Sequence, residues 1–410
     1  MTNILIKKIA ILLGGNLGAQ IITILSMMVI TRIYQPESFG LYSIFVSLIS
    51  VLIPISTVCL TLAFFLESKE SNLKKIFNTN IFLALCFFVF LSCLIFIIKL
   101  TNFISAKFIN DLGSLIYLVP ISVLLGSLYD NYYQYSLKLE KYNKISKSVL
   151  FSSFLSNIYK IISGYGVAIT INLVFGYFLN YILQIIILLK SNILPKIKIH
   201  KYDVKYTISK YKLLIFFRTP QVFLSTISEF IPILFLANYY GAKEVGYYSL
   251  ARSILSAPTV LVGKSITDVF LSKLSLDLNN NLNINKILVK SVIVSFFISV
   301  LIYLPFIFYG DWLFSLIFGN KWEESGKLAS VMCFWLIGVL STRTIVAAMT
   351  VKNLQKKYLA FEIVFLFFKI LILFFGVESF TSYIDVILGF SLINFLFYFM
   401  LIFLCIFSKD

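Results

Sequence analysis

The sequence predicts an all-α polytopic membrane protein with about twelve transmembrane helices arranged as two parallel six-helix repeats. Three observations carry that prediction. Of 410 residues, 60% are hydrophobic and only 13% charged, with a mean hydropathy of +0.94, a balance that would leave a water-soluble chain with large apolar surfaces exposed. The apolar residues gather into long stretches, each close to the roughly 20 residues that cross a bilayer core of about 30 Å. Finally, a motif recurs half a chain later. The chain reads Tyr34-Gln-Pro-Glu-Ser-Phe-Gly40-Leu-Tyr42-Ser43 and then Tyr240-Gly-Ala-Lys-Glu-Val-Gly246-Tyr-Tyr248-Ser249, with tyrosine, glycine, tyrosine and serine in one register and an offset of 206.

The spans fall near 9–32, 41–66, 79–100, 114–137, 147–169 and 171–189, then 213–239, 246–270, 288–309, 328–350, 358–377 and 383–407. Each copy of the motif lies between the first and second span of its half, so the repeat is topological as well as literal, as in many transporters. Strands of a closed barrel would be about ten residues long with alternating polarity, and no segment alternates in that way. The first span holds Gly14, Gly15, Asn16 and Gln20 at its middle rather than a small-residue cleavage site, so it is expected to be retained. Its Gly14-Gly15-Asn16-Leu17-Gly18 run suits close helix packing. Pro54 in span two and Pro258 in span eight occupy nearly equivalent places, the arrangement of interrupted helices that points to a transport path, and an ordinary kink is the plainer reading of each. Residues 1–190 form the first lobe, 191–212 a cytoplasmic linker and 213–410 the second lobe.

A net charge of +17 suggests nucleic acid until the cations are placed. With the N-terminus inside, roughly 23 lysines fall on cytoplasmic segments against 6 cations outside, a positive-inside bias. Lys190, Lys196, Lys198, Lys201, Lys205, Lys210 and Lys212 crowd the linker, whereas Arg32, Lys99, Lys107, Lys243, Lys321 and Lys327 lie opposite. Both termini are then cytoplasmic. Six spans return the chain to its starting side, so the halves run parallel about an axis along the membrane normal.

Nothing in the chain reads as an enzyme. His200 is a single histidine in a basic loop and lacks the partners of a metal site or pH switch. Cys59, Cys86, Cys93, Cys333 and Cys405 all lie within apolar spans and read as packing residues rather than a disulfide framework. No phosphate-binding loop, HExxH or exposed carboxylate pair is present, so no catalytic residue, metal or cofactor is expected.

What remains is a set of ionisable residues inside the spans, each costing about 2.5–3.5 kcal/mol at mid-helix and therefore a functional candidate. Arg218, Lys264, Asp268 and Glu362 lie near span ends, where snorkelling or local pairing accounts for them. Lys160, Glu229, Arg252, Arg343 and Lys369 lie deeper. Four cations to one anion favour an anionic substrate. Arg252, Arg343, Lys160 and Lys369 are accordingly the candidate substrate-binding residues, while Glu229 and Asp130 are candidates for a coupling proton or sodium ion. Pro220 and Pro232 flank Glu229. Tyr129, Tyr132, Tyr133 and Tyr135 suit either stacking on sugar rings or an interfacial aromatic belt.

The segment Thr31-Arg32-Ile-Tyr-Gln-Pro36-Glu37-Ser-Phe39-Gly40-Leu-Tyr42 resembles the signature of Wzx-type polysaccharide flippases in the multidrug/oligosaccharidyl-lipid/polysaccharide (MOP) exporter superfamily. Gly241 to Arg252 with Pro258, and Leu316-Ile-Phe-Gly319-Asn-Lys-Trp322, are similar to the second lobe of the same family. The resemblance covers nearly the whole chain. It implies a MATE-like V-shaped bundle in the cytoplasmic (inner) membrane that moves undecaprenyl-pyrophosphate-linked repeat units outward by alternating access, for O-antigen, capsule or another surface polysaccharide. The implied partners are the lipid-linked oligosaccharide, membrane lipids, and polysaccharide polymerase and chain-length machinery, with no nucleic acid. Only Arg252 belongs to both the motifs and the buried-cation set. Two alternatives stand beside this reading. A drug exporter of the same superfamily would favour an anionic or aromatic cavity, and a membrane-embedded polysaccharide polymerase or ligase would resemble its class in having a large external loop, whereas the longest external segment here, 310–327, is short. Lipid II flippases of the superfamily usually have two further helices.

Overall fold

The computed structural model describes residues 2–101, 107–190, 197–278, 284–351, 354–379 and 382–407. The chain there is helical, with no strand among the described residues. In order the helices are α1 (Thr2–Ile33), α2 (Pro36–Ser56), α3 (Glu70–Thr101), α4 (Lys107–Leu112), α5 (Val119–Lys138), α6 (Tyr142–Gly166), α7 (Thr170–Leu189), α8 (Lys201–Lys210), α9 (Lys212–Tyr239), α10 (Ala242–Leu278), α11 (Ile284–Phe318), α12 (Glu323–Ser341), α13 (Arg343–Val351), α14 (Gln355–Ser379) and α15 (Tyr383–Phe407). Among the described residues ten segments are long and apolar enough to cross a membrane. The two other long helices, α6 and α10, are more polar. The first carries Lys144, Lys147, Lys160 and a run of serines; the second carries Glu244, Arg252, Lys264 and Asp268.

Both copies of the repeated motif make the same helix–turn–helix junction. In the first, Gln35 is extended (φ −78°, ψ 154°) and Pro36 opens α2, where its missing N–H costs nothing. In the second, Gly241 (φ 133°) turns the chain between α9 and α10, a conformation that a side chain disfavours. The prolines behave differently. Pro258 is accommodated within α10, whereas α2 ends at Ser56 two residues after Pro54. Val58 (φ 46°) and Cys59 (φ 54°) are left-handed, and a 3-10 turn follows over Leu60–Leu66. The expected continuous span 41–66 is therefore broken, and Cys59 sits in the break rather than within a helix. The Cys59 N–H bonds Pro54 O at 2.9 Å, and Thr219 Oγ1 of α9 donates to Val58 O at 2.8 Å, so these backbone groups stay paired.

The chain divides into two compact units, Met1–Phe230 with Gly241–Lys243, and Ile231–Tyr240 with Glu244–Asp410. In the first, α1 packs on α6 through small residues. A Cβ on Gly15 would meet Ser146 Oγ at 2.1 Å, and one on Gly18 would meet Leu150 Cδ2 at 2.7 Å. Thr23 and Ser153 hydroxyls bond across the seam at 3.1 Å, as small and hydroxyl residues do between helices in lipid. The core of this unit joins Leu60, Phe64, Ile76, Phe77, Tyr132, Tyr135 and Ile145. In the second unit α11 and α12 cross where Gly310 faces Gly326. There, Leu288, Ile345, Met349, Phe397 and Leu401 form one core cluster and Trp335 packs edge-on to Phe390.

Candidate functional site

In the first unit the candidate residues are built on α2, α5, α6 and α7. On α6, Ser153 faces α1, where its hydroxyl meets Thr23, while Ser156 accepts from Asn180 of α7 and Lys160, one turn further on, lies on that same side. Its stem lies flat over Gly176, where a Cβ would come within 2.4 Å of Lys160 Cγ and 2.7 Å of Cε. Only glycine leaves that channel open. The ammonium donates to Tyr42 Oη at 3.4 Å and stands 5.2 Å from the centre of the Tyr42 ring, a cation–π placement.

From Tyr42 a row of rings continues. Tyr42 meets Tyr177 edge-on at 6.3 Å, Tyr177 meets Tyr181 at 4.9 Å, Tyr181 meets Tyr129 at 5.6 Å, and Tyr129 meets Tyr133 at 5.7 Å. The hydroxyls of Tyr177 and Tyr181 share a hydrogen bond at 2.9 Å. Asp130 closes the row beside Tyr129. Its Oδ1 accepts from Gln134 Nε2 at 3.1 Å, and Thr61, in the 3-10 turn after the broken α2, also donates to this carboxyl group. Lys160 and Asp130 are thus joined by one aromatic row without touching. Helical spacing sorts the four tyrosines of α5. Tyr132 and Tyr135 point into the core, 6% and 2% exposed, against Phe77 and Phe64, which replaces the aromatic-belt reading for these two. Tyr129 and Tyr133, one turn apart, share the other face.

In the second unit Arg252 is half-buried on α10. Arg343 is exposed and does not lie within a continuous span. Helix α12 stops at Ser341 and α13 begins at Arg343. Ser341 Oγ donates back to Ile337 O at 2.6 Å and Thr342 Oγ1 to Gly338 O at 2.8 Å, the local hydroxyl bonding that competes with the helix ladder. The Arg343 side chain runs along α10 at Gly263, whose Cβ would lie 3.3 Å from Arg343 Nε. That level is roughly 16 Å of helix rise from Arg252. Lys369 is buried on α14, its ammonium 5.0 Å from the Phe397 ring centre, and it interacts with Glu362 two turns earlier. Glu229 is exposed on α9. The side chains of Lys264 and Asp268 lie outside the described residues.

Comparison with known proteins decides the family. Residues 29–327 match the sequence model of the family described as polysaccharide biosynthesis protein. The chain belongs to that family. A 150-residue stretch is 29% identical to the capsular polysaccharide biosynthesis protein CapF of Staphylococcus aureus, spanning 35% of this chain and 37% of that relative. Among solved structures, the lipid II flippase MurJ in an inward closed conformation superposes with a TM-score of 0.75 at 17% identity, covering 95% of this chain and 86% of that one. An inward-facing multidrug resistance MATE transporter gives 0.64 at 12%, covering 95% and 96%. A MOP-superfamily transporter from Pyrococcus furiosus gives 0.61 at 11%, covering 97% and 93%. This family member therefore has the fold of MOP transporters, in agreement with the Wzx resemblance of its motifs.

One further constellation lies in the first unit and has no mark along the sequence. Helix α8 is clasped to the start of α3. Glu67, 7% exposed, accepts from Lys210 Nζ, from Tyr211 Oη at 2.6 Å and from Asn72 Nδ2 at 2.9 Å. Lys75 pairs with Asp203 at 3.0 Å and stands 4.8 Å from the Tyr206 ring centre. Asn78 donates to Lys198 O at 2.8 Å. Glu67 and Lys210 are 143 positions apart, and no local pattern marks a lone glutamate as the partner of a distant lysine. Burial alone would raise the Glu67 carboxyl pKa, but the bonds from Lys210, Tyr211 and Asn72 outweigh it and lower the value from 4.5 to about 2. A depressed carboxylate pKa contributes stability in full above the unfolded value and loses it as pH falls through the folded one. The clasp should therefore hold at pH 5 and open only toward pH 2. Glu67→Gln should speed amide hydrogen exchange in 201–211 by about tenfold or more at pH 7, and unchanged exchange would show that the clasp does not hold α8.

Proposed function

We propose that this protein is a flippase that carries undecaprenyl-pyrophosphate-linked oligosaccharide repeat units across the cytoplasmic membrane by alternating access, in the assembly of a surface polysaccharide such as O-antigen or capsule. The observation that carries the reading is Lys160, a cation kept within a largely apolar unit by a glycine channel and a tyrosine face. A pyrophosphate and its sugars cannot enter hydrocarbon without loss of hydration, and positioned cations offset that cost while the polyprenyl tail stays in lipid. Arg252, Arg343 and Lys369 supply the same chemistry in the second unit. Asp130, held by Thr61 and Gln134, and Glu229 are the groups for a coupling proton or sodium ion. No covalent step is required. Helices α6 and α10 complete twelve spans, with 1–190 and 213–410 as the two lobes and 191–212 as the linker, and polymerase and chain-length proteins take over the product outside.

Both termini and the linker face the cytoplasm in this proposal. A single cysteine at position 198 in a cysteine-free protein should resist an impermeant thiol reagent added to whole cells, and one at 321 should react. Labelling at 198 alone would reverse the orientation.

Substitution of the arginines tests the substrate reading. Lysine keeps the charge but loses the planar fork that holds phosphate through two bonds, and glutamine removes the charge. Surface polysaccharide should fall in the order arginine, lysine, glutamine at positions 252 and 343, by about tenfold or more for glutamine at normal membrane levels. Full production by both Arg252→Gln and Arg343→Gln would remove these residues from the site.

A further inference from the structure

The tyrosine row of the first unit pairs its hydroxyls with Lys160 and with one another, Tyr42 accepting from Lys160 and Tyr177 sharing a bond with Tyr181. Tyr132 and Tyr135 show what packing tyrosines do here, since both are buried against phenylalanines. Tyr42, Tyr177, Tyr181, Tyr129 and Tyr133 are instead all half-buried. Each is neither closed off in the core nor fully exposed. Aliphatic or phenylalanine side chains would fill such positions in a lipid-exposed or core face at lower cost, because a phenol in an apolar setting needs a partner for its hydroxyl.

Consecutive rings in the row are tilted or perpendicular, 78° between Tyr42 and Tyr177 and 79° between Tyr177 and Tyr181. Ring faces therefore alternate with ring edges and hydroxyls along the row. Such a surface matches a pyranose, which has an apolar C–H face that lies on an aromatic ring and a rim of hydroxyls that exchange hydrogen bonds with phenols and amides. Amide donors and acceptors flank the row on α7, where Asn180 Nδ2 donates to Ser156 Oγ at 3.1 Å. The cation at one end supplies the polarity of the site. Lys160 contacts the first ring, so an anionic group held there would place whatever it carries next to Tyr42 and Tyr177.

We infer that this row is the sugar subsite of the protein, with the pyrophosphate at Lys160 and the first sugars of the repeat unit along Tyr42, Tyr177 and Tyr181 toward Tyr129 and Tyr133. The inference rests on the flippase reading and adds to it where the oligosaccharide is held. It also assigns a specificity role to side chains that carry no charge.

Purified protein should be titrated with two lipids: sugar-free undecaprenyl pyrophosphate, and the lipid-linked repeat unit extracted from cells lacking this protein. Wild type should bind the sugar-bearing lipid more tightly. The double variant Tyr177→Ala with Tyr181→Ala should bind it about tenfold more weakly while its affinity for the sugar-free lipid is unchanged. The double phenylalanine variant keeps both rings and should retain most of the sugar-dependent affinity. Tyr129→Ala supplies the same comparison if the double alanine variant cannot be purified. Equal weakening toward both lipids, equal losses in the alanine and phenylalanine variants, or no change in any variant would overturn the subsite and leave the flippase reading standing. Failure of wild type to bind either lipid would overturn both.

Discussion

Cells from which this protein is deleted should lose one surface polysaccharide while its lipid-linked repeat unit accumulates on the cytoplasmic leaflet. Each sugar hydroxyl that enters hydrocarbon without a hydrogen-bond partner costs roughly 2–7 kcal/mol, and a repeat unit presents many, together with a pyrophosphate. Spontaneous crossing is therefore negligible on the timescale of growth, and loss of the carrier should be close to complete rather than partial. The measurement is the amount of extractable lipid-linked repeat unit and its protection from an impermeant periodate-type oxidant in intact cells. Single repeat units exposed outside but never polymerised would replace the flippase reading with a polymerase.

The largest structural effect is expected at Gly326. A Cβ there would lie 2.2 Å from Gly310 O and 2.5 Å from Asp311 Cα, and a Cβ on Gly310 would lie 2.6 Å from Gly326 O. Every atom met is backbone, so no rotamer change relieves the overlap and α11 and α12 would have to separate. Inserting even a methyl group into a filled interior costs about 1–3 kcal/mol, and a β-branched group at a backbone crossing costs more. Gly326→Val should leave little folded protein in the membrane, and Gly326→Ala should lower the melting temperature of the detergent-purified protein. Gly14→Ala is the control. Nothing lies within 4 Å of a Cβ there, and alanine is the better helix former by roughly 1 kcal/mol. Equal melting temperatures for Gly326→Ala and wild type would contradict the crossing.

Family and fold were legible in the sequence because their causes are local and repeated. A bilayer demands about 20 apolar residues per crossing, so span positions follow from composition along the chain. The junction motif shows itself twice, in Tyr34–Ser43 and Tyr240–Ser249, and both copies turn out to be helix–turn–helix joints. The Gly15 and Gly18 contacts with α6 follow from a small-residue pattern that can be read without a structure. Where the reading needed adjustment, the cause was a competition between local bonds. Pro54 and Pro258 look equivalent in sequence, yet only the first precedes a break, where Thr219 from another helix is placed to bond the freed carbonyl. Arg343 falls within an apolar stretch of the sequence, yet the helix is interrupted just before it, where the hydroxyls of Ser341 and Thr342 bond back to the preceding turn.

By itself the sequence determined that this protein is helical, apolar enough to span a membrane and marked by one motif twice, with cations scattered among its apolar stretches, since hydropathy, charge and repetition are properties of each segment. Only the tertiary structure decided which of those cations has a built surrounding. Lys160 depends on Gly176 of a different helix to make room for its stem and on Tyr42 of a third to meet its charge. The tyrosine row draws on α2, α5 and α7, and the Glu67 clasp joins residues 143 positions apart. Such assemblies have no signature along the chain because side chains on separate helices become neighbours only when the helices pack, and packing is set by shape complementarity between whole faces rather than by any one residue.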